Sequence, residues 1–125
     1  MTEPVVFIVS EDAQFCQSVR TLVETAGLRA ITFPGLQALL AAEEPVSHGC
    51  LVFYPQHDTL GDPQQRALLA AACAGRPGIL VIERGNVPVA VHALKAGITD
   101  VVQKPYRDKD LLERIVNALE VPVPV

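Results

Sequence analysis

Short unbroken apolar runs alternate along this chain with longer stretches whose apolar residues recur every three or four positions. Val5-Val6-Phe7-Ile8-Val9, Gly49-Cys50-Leu51-Val52-Phe53-Tyr54 and Ile79-Leu80-Val81-Ile82 are the runs. They are too short for helices and show no polar alternation, which predicts strands buried on both faces. Pro55 follows the middle run and cannot donate to a ladder, so that strand should stop at or just after Tyr54. Arg29 to Phe33 and Ile98 to Val102 read as two further strands.

Helical spacing fills the intervals. Phe15, Val19, Leu22, Val23 and Ala26 form one apolar face ended by Gly27. Leu36, Leu39 and Leu40 follow the break at Pro34-Gly35. Asp62-Pro63 starts a helix carrying Leu68, Leu69, Ala72 and Cys73. Asn86 caps one with Val87, Ala90, Val91 and Leu94, and Asp108 one with Leu111, Leu112, Ile115, Val116 and Leu119. Strand-then-helix repetition implies right-handed crossovers and a parallel α/β sheet covered on both faces. Residues 1–120 read as one domain, and 121–125 as an extended tail or the start of a linker. In such a sheet a site forms at the carboxyl ends of the strands, which gives Tyr54 the functionally most exposed position of the middle strand.

Composition narrows the function classes. A net charge of −4 with no dense run of Lys or Arg argues against direct nucleic-acid binding by this domain. Cys16, Cys50 and Cys73 lie far apart in apolar stretches and read as buried thiols. No apolar run nears the ~20 residues of a membrane span and no basic leader opens the chain, so a cytoplasmic protein without membrane contact is expected. Ser10, Glu11 and Asp12 can each cap or charge the first helix; Ser10 is the expected N-cap. Glu11 and Asp12 are the candidates for a weak Mg²⁺ site, against their ordinary use as first-turn acids, and no cofactor is expected. His48, His57 and His92 are scattered, with no partner at catalytic or ligand spacing.

The segment Val87 to Asp100, with Gln103-Lys104-Pro105-Tyr106, resembles response-regulator receiver domains, and in particular those of the FixJ type. Phe7-Ile8-Val9 before an acidic cluster, Thr32-Phe33, and Gly49-Cys50-Leu51-Val52 add to the likeness, which runs from about Val5 to Leu119. The resemblance implies a flavodoxin-like (CheY-like) three-layer sandwich with a five-stranded parallel sheet of order 2-1-3-4-5. It also implies phosphoryl transfer from a kinase histidine to an aspartate, assisted by Mg²⁺ on an acidic pair, a hydroxyl and a lysine.

Carried over position by position, the acidic pair falls on Ser10 and Glu11, the phosphoryl acceptor on Tyr54, the hydroxyl on Ile82 and the lysine on Lys104. The switch aromatic of the fifth strand falls on Val101. A phenol, with an ordinary pKa near 10, is a weak nucleophile and a poor metal ligand at neutral pH. The resemblance therefore implies a degenerate, phosphorylation-independent receiver: a two-component regulatory module and not an enzyme. Its Tyr54 ring is expected to fill the emptied pocket with the hydroxyl against Lys104, which is also free to pair with Glu11. Val89, Lys95, Val101 and Tyr106 mark the expected interaction face, for a protein partner or for dimerisation. A sensor kinase or an output domain, including a DNA-binding one, is the implied partner. The competing readings are a flavodoxin-like domain binding a phosphorylated ligand or cofactor, and a receiver phosphorylated at Asp58 or Asp62.

Overall fold

Three all-apolar runs become strands buried along their whole length: β1 (Val5–Val9), β3 (Gly49–Phe53) and β4 (Gly78–Ile82). β2 (Arg29–Phe33) and β5 (Asp100–Gln103) are only partly buried, because they stand at the edges. A computed structural model of the chain describes residues 4–42, 49–56 and 59–120. His48, His57, Asp58 and the tail at 121–125 lie outside the described residues. The sheet is parallel throughout, in the order β2-β1-β3-β4-β5. The intervening helices are α1 (Ala13–Thr25), α2 (Leu36–Ala41), α3 (Pro63–Cys73), α4 (Val87–Lys95) and α5 (Asp108–Glu120).

Strand alternation divides the core into two layers. Val6, Ile8, Cys50, Val52 and Tyr54 pack with Phe15, Val19, Leu111 and Ile115 of α1 and α5. Phe7, Val9, Leu51, Phe53, Leu80 and Ile82 pack with Leu36, Leu69, Val89 and Ala93 of α2, α3 and α4. β3 lies close against β1 because it begins with glycine: a Cβ at Gly49 would run into the Val5 carbonyl oxygen.

Several boundaries differ from expectation for local reasons. Asp12, not Ser10, caps α1, its carboxylate accepting from the N–H groups of Gln14 and Phe15 at 3.0 and 3.1 Å. Asn86 occupies the N-cap position of α4 without a side-chain bond, and Asp108 falls inside the first turn of α5. The fifth strand starts two residues late, at Asp100. Gly97, at φ +113°, ends α4, and Ile98 N–H returns to the Ala93 carbonyl at 3.0 Å. Ile98 thus completes the helix terminus. No helix among the described residues is long and apolar enough to cross a membrane.

Candidate functional site

Backbone bonds continue one residue past the strands and fix the carboxyl edge of the sheet. Ser10 N–H donates to Phe33 O at 3.1 Å, Tyr54 N–H to Val9 O at 3.0 Å, and Lys104 N–H to Ile82 O at 2.8 Å. Ser10, Tyr54 and Lys104 therefore lie along one edge of the sheet, with β4 between the last two.

Tyr54 is only 5% exposed. Its ring centroid lies 4.7 Å from that of Phe15, and the Lys104 ammonium sits 4.5 Å above the Tyr54 ring. That stacking places a cation on the negative face of the aromatic ring. The Tyr54 hydroxyl donates to the Glu83 carboxylate and accepts from Lys104 Nζ at 3.4 Å. Burial first, then the hydrogen bond to Glu83 and the charges of Glu83 and Asp12, push the phenol up to about 12. The group stays neutral and donating at any ordinary pH.

Ile82 does not stand beside Tyr54. It is 4% exposed and faces the layer of α2, α3 and α4. Ile79 and Val81 face the Tyr54 layer, so alternation turns residue 83 toward Tyr54, and Glu83 is the residue the hydroxyl meets. The sequence reading missed Glu83 because it stopped at the aligned position; alternation along Ile79–Glu83 was the available signal. Ser10 is buried, and its hydroxyl accepts from Asp12 N–H at 3.1 Å. Glu11 is exposed and, among the described residues, forms no ion pair with Lys104.

The α4–β5 face is arranged differently from expectation as well. Val89 is 1% exposed and belongs to the core, so it cannot serve as a contact residue. Val87, Val91 and Leu94 form the exposed stripe instead, at 63%, 42% and 51%. Their spacing of four and three residues puts them on one side of the helix. Lys95 is exposed beside them, and Val101 and Tyr106 are half-buried. Burial and the charge of Asp108 hold the Tyr106 phenol above its usual range. A groove of about 1120 Å³ runs along β5 and α5, bordered by Val101, Tyr106, Asp100 and Arg114. Asp100 pairs with Arg114 and accepts from Val101 N–H at 2.9 Å. His92 Nδ1 has no hydrogen-bond partner among the described residues, and no group of three or more His, Cys, Asp or Glu side chains converges there.

No family model matches the chain. Nodulation protein W of Bradyrhizobium diazoefficiens is 30% identical over 119 residues, covering 95% of this chain and 52% of its own. Response regulator protein TmoT of Ectopseudomonas mendocina is 32% identical over 118 residues, covering 94% of this chain and 54% of its own. The crystal structure of FixJ-N superposes with a TM-score of 0.81 at 27% identity, covering 100% of both chains.

The fold is that of CheY-like receiver domains. Homologues and structural neighbours are response-regulator receiver domains. The chain spans about half the length of the curated relatives it matches. Tyr54 directly follows β3 and Lys104 directly follows β5, and the bond from Lys104 to Pro105 is cis.

Proposed function

We propose that this chain is a two-component receiver domain without phosphoryl-transfer chemistry, acting as a regulatory protein-interaction module. The observation that carries the reading is the buried Tyr54 side chain, hydrogen-bonded to Glu83 beneath Lys104. An aspartyl phosphate would need a carboxylate where the phenol stands, and a lysine free to reach the phosphate. Here the lysine is stacked on the ring.

The residues that remain do not fit a Mg²⁺ centre. Mg²⁺ takes hard oxygen ligands in strict geometry, with carboxylates supplying the charge. Ser10 supplies no charge and its oxygen already accepts from Asp12 N–H, while the Asp12 carboxylate caps α1. Only Glu11 is left. We therefore assign no metal and no other cofactor. Asp62 is no better placed as an alternative acceptor, because its carboxylate caps α3 through Gln64 N–H at 2.9 Å.

The module works by contact, in the cytoplasm, and not by catalysis. Its contact face is the stripe Val87, Val91 and Leu94, with Lys95, Val101 and Tyr106 at its border. The partner is a second copy or another signalling protein, such as a kinase or an output domain. The length of the relatives supports an output domain, and their names include transcriptional regulators. Incubation with acetyl phosphate and Mg²⁺, followed by intact mass, tests the reading. No adduct is expected, and a stable phosphoryl adduct would overturn it.

A further inference from the structure

We infer that the Tyr54 hydroxyl is a latch on the β4–α4 connection, and that it fixes how α4 presents its apolar stripe. This deepens the reading above and rests on it for the identity of the contact face. Glu83-Arg84-Gly85-Asn86 joins β4 to α4, with Gly85 at φ +81°. The start of α4 has no side-chain cap of its own, since Asn86 makes none. The first-turn N–H groups of a helix need partners from outside, so an uncapped start depends on the segment leading into it.

That segment is tied from three directions. Asn86 N–H donates to Glu83 O at 3.1 Å, and Val87 N–H to Gly85 O at 2.8 Å. From β5, the Gln103 side chain accepts from Gly85 N–H at 3.3 Å. From β3, the Tyr54 hydroxyl holds the Glu83 side chain. Glu83 is thus bound at both ends: its side chain to the buried floor of the sheet, its carbonyl to the residue that opens α4. Val87, the most exposed member of the stripe, is four residues away in sequence. A bond between the pocket and this connection couples the two regions through a continuous physical path. Glu83 is exposed, so its carboxylate is accessible to a competing donor, whereas Tyr54 is not.

The test is residue-resolved hydrogen exchange on the whole chain carrying Tyr54→Phe, which deletes the hydroxyl and keeps the ring. The amides of Gly85, Asn86 and Val87 should exchange about tenfold faster or more, a local opening, while those of Val6, Ile8 and Leu51 hold their rates. Glu83→Ala, which removes the acceptor altogether, should give the same pattern, and it serves if the first variant folds poorly. The double variant should be no faster than the faster single one, because both remove one bond. Unchanged rates at 85–87, acceleration spread evenly over the sheet, or additive effects would overturn the latch. Outcomes for the phosphoryl adduct and for stripe variants are separate, so a latch that fails leaves the interaction reading standing. Faster loop exchange together with a phosphoryl adduct would sink the reading and keep the latch.

Discussion

The carboxyl edge of β3 and the outer side of α4 lie one short connection apart, yet they solve opposite problems. At β3 a polar side chain is sealed: Tyr54 is 5% exposed, packed at a tilt against Phe15 and covered by Lys104. On α4 apolar side chains are left open, with Val87 at 63% and Leu94 at 51% exposed. Single exposed apolar residues need no explanation, but three at helical spacing beside an edge strand form a coherent surface. The difference sets what a substitution in each region should report. Substitution at the sealed site should register as stability, and substitution on the open face as association.

The largest expected effect is at the sealed site. Tyr54→Ala removes a packed ring and its hydroxyl, and should destabilise the chain by about 3–5 kcal/mol in denaturant unfolding. Tyr54→Phe should lose only about 1–2 kcal/mol. If both cost under half a kcal/mol, the pocket is not sealed as described.

Alkaline titration sharpens the same side. The folded Tyr54 pKa is raised from its usual 10 to about 12. The neutral phenol is the form the fold favours, so its contribution is complete below about pH 10 and is lost as pH rises through about 12. Stability should therefore fall across that interval. Absorbance near the phenolate band should show Tyr54 ionising late, together with unfolding. Ionisation of Tyr54 near pH 10 with the fold intact would contradict the buried donor.

Two valines on α4 test the boundary between the regimes. Val89→Ala should cost about 2 kcal/mol, since that side chain is 1% exposed. Val91→Glu should change stability by less than about 0.5 kcal/mol while weakening self-association or partner binding, read by sedimentation velocity. Association untouched by Val91→Glu and Tyr106→Ala would remove this face from consideration. A small effect is also expected from Asp100→Asn, which weakens a half-exposed pair with Arg114 and should cost at most about 0.5 kcal/mol by thermal unfolding.

Much of the fold was legible because unbroken apolar runs and glycine or proline stops are strong local signals. Gly49 to Phe53 became a buried central strand, and Asp62-Pro63 opened α3 as read. The site was legible less completely, and for specific reasons. Val87-Pro88-Val89-Ala90-Val91 is apolar all round, so the sequence does not say that Val89 turns inward while Val87 and Val91 turn out. Ser10, Glu11 and Asp12 are all competent caps, and Asp12 takes the role because its extended backbone, at φ −81° and ψ 103°, sets its carboxylate on the N–H groups of Gln14 and Phe15. Glu83 was hidden because residue-by-residue correspondence favours Ile82, whereas the side chain that reaches Tyr54 is decided by strand alternation.

The central claim is that the receiver pocket is filled by Tyr54 and is not waiting for a phosphoryl group. Backbone NMR during titration with beryllofluoride and Mg²⁺ tests it most directly. Amide shifts at Glu11, Tyr54, Glu83 and Lys104 should stay within the small, unsaturable drift that salt produces. Saturable shifts centred on those four residues would contradict the account.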